Sequence, residues 1–322
     1  MPISSVQSFV GIGKETTKGT LVVPADFIPV KSMQLTDTQN YYEDNGIRGS
    51  QVDSYGQILG TSFATYDMAG DVLADTIGYP LAGILGDVVV AGSVAPFTHT
   101  VAVKNSGDGQ PVSYSITDFD GVQARAVAAS QFSDLSFLFN SEGLFGFTAK
   151  ATGFISAPVA TPTRSYTAVT PIANWQAIAT VGGTVSPILL DGTCDIKRAV
   201  TPTHTLNATS NPYRVWAGKV MVSGKLSFIT ETGEAQLVNY LTNAQPSLDL
   251  NSSQGTGAAL TQVKLHLTKC AYTMGLQTRG KDWVQTDITY KAVANTTDIG
   301  ASAGYGHIVA TIQNQKPAGT FA

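Results

Sequence analysis

Apolar and polar side chains alternate over short runs along this 322-residue chain, and that alternation restricts its fold more than any other feature. Residues 112–116, 263–267 and 283–290 show it most clearly. A repeat of two residues puts successive side chains on opposite faces of a β-strand, so that one face can lie in a core. Asn-Gly, Asp-Gly and Arg-Gly pairs between the runs are typical of tight turns. The sequence therefore predicts a mainly β fold made of hairpins.

Two segments have apolar residues at helical spacing. The first helix is predicted at 71–85, although Pro80 argues against helix in the second half of that segment. The second is predicted at 233–243, with Thr232 as its N-cap. We therefore expect two short helices in an otherwise β chain.

Strands and helices follow the same order in the two halves of the chain. The matched positions are Val30 with Leu190, Tyr66 with Phe228, and Leu81 with Leu241, which lie 160, 162 and 160 residues apart. The offset falls to 140 residues between Phe154 and Ala294, a drift that loops of different length would absorb. We predict an internal duplication, with a first domain at 1–155, a Pro/Thr/Ala-rich linker at 156–164 and a second domain at 165–322.

Charge is scarce and unevenly divided. Charged residues make up 13% of the chain, and the net charge is −4. Residues 1–155 carry 7 Lys and Arg against 15 Asp and Glu, whereas residues 156–322 carry 12 against 8. One interpretation is that the charges of the two halves have drifted apart without consequence. The other is that the first half of one chain faces the second half of a neighbouring chain, where opposite charges set the orientation of the two subunits. A chain so poor in charge suits a subunit covered by neighbours, and its negative balance argues against gripping nucleic acid.

Composition also excludes several classes of protein. The 43% hydrophobic content excludes a disordered chain, and 2 cysteines are too few for a disulfide scaffold. No apolar run approaches 18 residues, so we predict no membrane anchor. The first 13 residues lack the basic and apolar regions of a signal peptide. We therefore expect a protein made in a reducing cytoplasm, with Cys194 and Cys270 as free thiols.

No residue pattern indicates catalysis. Residues 11–14 resemble part of a phosphate-binding loop, but Ser8 and Glu15 stand where that loop needs Gly and Ser or Thr. The four histidines are isolated, and none lies at metal-ligand spacing from another His or Cys. Residues 118–121 begin like a calcium loop but lack its later ligands. We expect no catalytic, cofactor or metal site, and a structural protein rather than an enzyme.

Several ordered motifs occupy the first 86 residues. They are VGIGKETTKGT at 10–20, FIPV at 27–30, EDNGIRGS at 43–50, GDV at 70–72, DTIGY at 75–79 and the segment 81–86. This set resembles the opening of the tail tube (major tail) proteins of long non-contractile-tailed bacteriophages, and the rest of the chain resembles them in element order alone. The resemblance implies two tandem tail-tube-like β-sandwich domains, each flanked by a short α-helix and carrying a long hairpin loop.

The resemblance also implies where subunits touch and which residues face the tube lumen. Hairpin loops at 41–53 and 200–213 would reach the next ring. The residues implied in ring stacking are Tyr41, Tyr42, Glu43, Asp44, Asn45 and Arg48. One alternate face of the strands at 31–39, 57–66, 193–199 and 216–228 would line the lumen. The lumen-side residues are Gln34, Thr36, Thr61, Lys219 and Lys225.

In function, the resemblance implies a virion protein that polymerises into stacked rings and forms the conduit for genome ejection. Three two-domain chains per ring would give a pseudo-hexamer, and six chains per ring is the alternative. The implied partners are further copies of the chain, a tape-measure protein, and tail-tip and terminator proteins, with DNA passing through unbound and no cofactor. The chain would be assembled in the host cytoplasm and end in the virion tail. A capsid decoration or adhesin-type surface β-sandwich protein is the alternative function.

Overall fold

Strands make up 51% of the chain and helices 8%, which confirms the prediction of a mainly β fold. The computed structural model describes residues 4–233, 235–280 and 282–322. Within these ranges the strands form one sheet of 12 strands and one of 7, with two α-helices beside them.

The strands are β1 Phe9–Lys14, β2 Asp26–Ile28, β3 Ser32–Glu43, β4 Gln57–Asp71, β5 Gly86–Ala91, β6 Phe97–Val103, β7 Tyr114–Phe119, β8 Ala124–Asn140, β9 Gly146–Gly153, β10 Ala157–Val159, β11 Ala177–Val181, β12 Thr184–Val185, β13 Leu189–Thr203, β14 Arg214–Ile229, β15 Leu248–Gln254, β16 Thr261–Leu267, β17 Cys270–Thr278, β18 Gln285–Ala292 and β19 Val309–Asn314. The helices are α1 Gly78–Leu85 and α2 Gln236–Thr242.

Both helices begin later than the sequence predicts. Helix α1 starts at Gly78 and not at 71, because Pro80 fits only the first turn, where its missing N–H is not needed. Helix α2 starts at Gln236, and the residue at its N-cap is Ala235 and not Thr232. Each helix ends where a residue takes the left-handed conformation, Gly86 after α1 and Asn243 after α2.

Eight strands of the large sheet lie side by side in the antiparallel order β3-β4-β9-β8-β13-β14-β18-β17. The first four come from the N-terminal half of the chain and the last four from the C-terminal half. Strands β8 and β13 pair over seven residue positions and join the two sets. The other four strands, β7, β1, β2 and β10, continue the sheet from the N-terminal end of β8.

Strand pairing also crosses the middle of the chain in the small sheet. Its order is β12-β11-β15-β16-β19-β6-β5, so that β19 from the C-terminal end pairs with β6 from the first half. Strand β10, inside the segment predicted to be a linker, pairs with β8. One cluster of buried side chains contains residues of both sheets and of α1. The division into domains at 156–164 stays a prediction.

The C-terminal segment 309–322 packs on the N-terminal half. The Phe321 ring is buried and lies 5.0 Å from the Tyr79 ring and 4.8 Å from the His99 ring. The Tyr114 hydroxyl donates to the Phe321 carbonyl at 2.6 Å. The end of the chain is therefore part of the core beside α1.

Candidate assembly surface

The eight strands β3-β4-β9-β8-β13-β14-β18-β17 have one buried face and one open face. On β13, Cys194 and Ile196 are buried in the core, whereas Asp195 and Lys197 between and beyond them are at least partly exposed. The same alternation runs along β4, β9, β14 and β18. Within the described ranges no other segment covers the second face. We call it the open face.

The structure places the five residues predicted to face the lumen on this open face. Gln34 and Thr36 are exposed on β3, and Thr61 is half-buried on β4. Lys219 and Lys225 are exposed on β14. Three strands, β9, β8 and β13, lie between the two sets, so the open face is a single surface shared by both halves of the chain.

Charges of both signs are interspersed on the open face. Lys150 of β9 lies 3.5 Å from Asp67 of β4, and Asp134 of β8 stands opposite Lys197 of β13. The strand residues involved are Asp67, Asp71, Asp134, Asp191, Asp195 and Asp287 against Lys150, Lys197, Lys219, Lys225 and Lys291. With six carboxylates and five ammonium groups, this face is close to neutral and presents no basic stripe.

The residues predicted to stack rings lie at the tip of the β3–β4 hairpin and on the end of β3 just before it. Tyr41 and Tyr42 are at least half exposed near the end of β3. The Tyr55 N–H donates to the Asp44 carbonyl at 2.8 Å, which closes the hairpin before its tip. Arg48 forms an ion pair with Asp44, and its guanidinium lies 4.6 Å from the centre of the Tyr55 ring. Glu43 and Asn45 are on this tip too, at the end of β3 and in the turn after it.

The tip of the second hairpin, between β13 and β14, lies against strand β4 of the same chain. The Ser62 N–H donates to the Ser210 carbonyl at 2.9 Å. The ring nitrogen Nε2 of His204 donates to the Ser62 carbonyl at 3.2 Å. This tip is therefore held, at least in part, by its own chain.

Two buried charged side chains, Arg198 and Glu15, link separate elements of the fold through hydrogen bonds. Arg198 donates at 2.8 Å to the carbonyls of Gly218, Ile84 and Gly109, which ties β13 to the end of α1. Burial lowers the pKa of the Arg198 guanidinium to about 10. Glu15, which follows the glycine-rich run of β1, is buried and its carboxylate accepts four hydrogen bonds from surrounding groups.

Replacing Glu15 with Gln is expected to lower the free energy of unfolding by about 2–3 kcal/mol. The carboxylate accepts from the backbone N–H groups of Gly19 and Ala129, both at 2.8 Å, through different oxygens. A side-chain amide has one oxygen, so its NH2 group would face one of these N–H donors. Urea unfolding measures the change. Glu142→Gln, at an exposed position, is the matched control and should shift stability by less than about 0.5 kcal/mol. Equal stability of the two variants would contradict this role.

Other buried titratable groups are dispersed through the core. Cys194 and Cys270 are free thiols in the core, and burial raises the pKa of Cys194 to about 12 and the pKa of Cys270 further still. Burial lowers the pKa of His99, whose Nε2 contacts the Lys316 carbonyl at 2.9 Å. The residues that the structure describes contain no group of three His, Cys, Asp or Glu able to hold a metal ion.

Stability is expected to fall as the pH drops from 7 to 5.5. The pKa of His99 in the folded state lies below its ordinary value of 6.5 because its ring is buried. The unfolded chain therefore takes up the proton first, and this group lowers the stability of the folded state as the pH falls through the ordinary histidine pKa. His307, whose pKa is also lowered by burial, acts in the same direction. Urea unfolding at both pH values tests this; His99→Gln should flatten the dependence, and an unchanged slope would contradict it.

The structure is therefore a two-sheet β protein with an open polar face, and its buried charged groups are dispersed. Within the described ranges no helix has the length and hydropathy needed to cross a bilayer. The family model described as phage tail tube protein matches residues 5–303. The chain therefore belongs to the phage tail tube protein family, a structural family of the virion tail whose members assemble into a tube. A search of curated proteins finds no match.

Proposed function

We propose that this chain polymerises into stacked rings that form the tail tube of a siphovirus and the conduit through which the genome is ejected. The observation that carries the proposal is the open face, a polar surface of eight antiparallel strands backed by one core. One face of such a sheet is already covered by the core, and the sheet can pair with the sheets of further copies to form a closed barrel. Closure would turn the open face inward, because the two-layer core fills the outside.

Three chains per ring would supply 24 strands to an inner barrel. Strands about 4.8 Å apart and tilted by about 45° give a barrel roughly 50 Å across, and side chains leave a channel of about 40 Å. Duplex DNA, roughly 20 Å wide, passes through such a channel. Eight strands per chain favour three chains over six, since 48 strands would double the diameter.

The charges of the open face suit passage rather than binding. Proteins that hold DNA neutralise its phosphates with clustered Lys and Arg. Here carboxylates and ammonium groups alternate, with Lys150 beside Asp67. A channel lined in this way gives the phosphates no continuous basic path, so DNA would move through without being held.

The hairpin tips at 41–53 and 200–213 are proposed to contact the next ring, with the two exposed tyrosines at 41 and 42 as apolar anchors. Subunits would stay apart until a tail-tip protein and a tape-measure protein start the tube, and a terminator protein would end it. Assembly would take place in the host cytoplasm. Ordering the first tip, at 41–53, on stacking would make the first ring costly and later rings favourable.

Electron microscopy of the purified protein, alone and with isolated tail tips, tests the proposed function. We expect hollow tubes at high protein concentration or on added tail tips. Immediate tube growth at low concentration without any initiator would refute the nucleation step while keeping the tube. Protein that neither forms rings alone nor extends tail tips would refute the tube and favour a decoration or adhesin-type surface protein.

A further inference from the structure

We propose that strand β17 of one chain pairs with strand β3 of the next chain, in the register that the chain uses internally between β8 and β13. The proposal rests on ring formation and adds the residues that close the ring. The partner is a second copy of this chain. Four observations carry it.

The first observation is that the two sets of four strands have the same connectivity. In each set a long hairpin, β3–β4 or β13–β14, comes first in the chain. The second strand of a later hairpin then pairs with the second strand of the first hairpin. In the first set β9 of β8–β9 pairs with β4, and in the second set β18 of β17–β18 pairs with β14. Strand β13 therefore corresponds to β3, and β17 corresponds to β8.

The second observation is that irregularities in the pairing recur at corresponding residues. The β3–β4 register shifts between Gln39 and Tyr41, and the β13–β14 register shifts between Arg198 and Val200, each 159 positions later. A further shift in β13–β14, between Leu189 and Asp191, lies at the start of β13, and the positions 159 residues before it, 30 and 32, lie at or before the first residue of β3. Bulges re-aim a strand at a defined point and are not placed at random. Their recurrence fixes the correspondence of β3 with β13 to a single residue.

The later hairpins show the same agreement. The register of β8–β9 shifts between Phe132 and Asp134, and that of β17–β18 shifts between Tyr272 and Met274, 140 positions further on. The correspondence of β8 with β17 is therefore also fixed to one residue.

Applying the offsets of 159 and 140 residues to the internal β8–β13 pairing predicts the register between β17 of one chain and β3 of the next. Inside the chain, Ser136 of β8 stands opposite Asp195 of β13. The corresponding residues are Leu276 of β17 and Thr36 of β3. In the proposed junction Leu276 of one chain therefore stands opposite Thr36 of the next. The neighbouring pairs are Thr278 with Gln34, Gln277 with Leu35, Gly275 with Asp37, and Met274 with Thr38.

The third observation is that both strands turn hydrogen-bonding groups to an open edge. Among the described residues, β3 pairs only with β4, and β17 pairs only with β18. Backbone groups of successive residues point alternately to the two sides of an antiparallel strand. The Ser62 N–H points away from β3, so its opposite residue Gln39, and every second residue from it, turn their N–H to the open edge.

The same alternation holds on β17. The Val293 N–H donates to the Lys269 carbonyl. Following the register from there, Met274 and Leu276 bond to β18, and Gly275 and Gln277 point to the open edge. The backbone groups that point to the open edges therefore belong to Leu35 and Asp37 on β3 and to Gln277 and Gly275 on β17. The proposed register places Leu35 opposite Gln277 and Asp37 opposite Gly275.

The fourth observation is exposed apolar surface on the edge strand. Met274 and Leu276 are about half exposed on the open face of β17. Apolar side chains on an unpaired edge invite pairing with another strand. In the transferred register Thr38 and Thr36 of the next chain lie opposite them and cover part of this surface.

A consequence concerns the hairpin tips. In the chain, Ser62 is buried because the second hairpin tip lies on it. The residue corresponding to Ser62 is Val220, 158 positions later and on the same side of the bulge. Val220 is only partly buried. In the ring, the first hairpin tip of the next chain, at 44–56, would cover it.

Engineered cysteines at the proposed junction test the register. Thr36 and Leu276 form a non-hydrogen-bonded pair, in which the Cα atoms lie about 4.5 Å apart, within the range of a disulfide. Thr36→Cys with Leu276→Cys, assembled into tubes and oxidised, should give covalent trimers on a non-reducing gel. Thr36→Cys with Thr278→Cys is the control, because diagonal residues lie about 7–8 Å apart and should cross-link at least tenfold less. Cys194 and Cys270 are buried and should not interfere.

The outcomes separate this proposal from the proposed function. Tubes that form but show no cross-link for Thr36 with Leu276, or a stronger one for the control pair, would overturn the register and leave the tube function standing. If the Thr36→Cys and Leu276→Cys pair blocks assembly, the pair Gln34→Cys with Thr278→Cys replaces it. These two residues also stand opposite each other in the proposed register, so their cross-linking tests the same register. Wild-type protein that forms no tubes even with tail tips would overturn the proposed function itself.

Discussion

Gln277→Pro should leave the chain folded and abolish tube growth. Proline is tolerated on an edge strand where its position faces solvent, and Gln277 of β17 turns its N–H to the open edge. In the ring the same proline removes one hydrogen bond of the junction and places its ring against the strand of the next chain. A penalty of about 3 kcal/mol per junction weakens each contact by roughly 100-fold. Far-ultraviolet circular dichroism and electron microscopy measure the two parts of the prediction.

Gln277→Val is the matched control, because it changes the same side chain and keeps the N–H. We expect this variant to form tubes at a concentration close to that of the wild type. Normal tube growth by Gln277→Pro would contradict the pairing of β17 with the next chain. An unfolded Gln277→Pro protein would contradict the assignment of this N–H to the open edge.

Phe321→Ala should lower the free energy of unfolding by about 3–5 kcal/mol, the largest stability effect we expect from a single substitution. The Phe321 ring is buried against Tyr79 and His99, and a Cβ added at Gly78 would overlap it. Removal of the ring leaves a cavity beside α1, a helix whose eight residues are all buried.

Chemical unfolding of Phe321→Ala and of Tyr305→Ala compares a buried with an exposed aromatic residue. Tyr305 is mostly exposed, so its replacement should change stability by less than about 0.5 kcal/mol. Similar stability of both variants would mean that the C-terminal segment does not complete the core.

The repeated order of elements could be predicted from the sequence because alternation and helical spacing are local signals. The 140-residue offset between Phe154 and Ala294 agrees with the shift between the β8–β9 and β17–β18 hairpins. The offset near 160 is close to the 159 found for β3 and β13. In the correspondence proposed above, Tyr66 matches Gly224 rather than Phe228, because register depends on the partner strand and not on similar side chains.

Long-range pairing could not be predicted from local pattern. Strands β7 and β16 both alternate apolar and polar residues, but β7 joins the large sheet beside β1 and β16 joins the small sheet beside β19. The burial of Phe321 against the first half also had no local signal, since its partners are more than 200 residues away. Short alternating strands are compatible with many partners, and the choice depends on the whole core.

The candidate surface was predicted in part. An alternation of two residues predicts that Gln34, Thr36 and Lys225 share the orientation of one strand face, and the structure places them on the open face. The continuity of that face depends on the pairing of β8 with β13, for which the sequence offers no marker. That pairing is also the template for the proposed contact between chains.

Cryo-electron microscopy of assembled tubes, with the number of chains per ring as its readout, is the most direct test of the ring. We expect three chains of 33.7 kDa, about 101 kDa per ring, with the open face toward the lumen and β17 beside β3 of the next chain. Six chains per ring, or rings in which the open face points outward, would contradict the 24-stranded barrel.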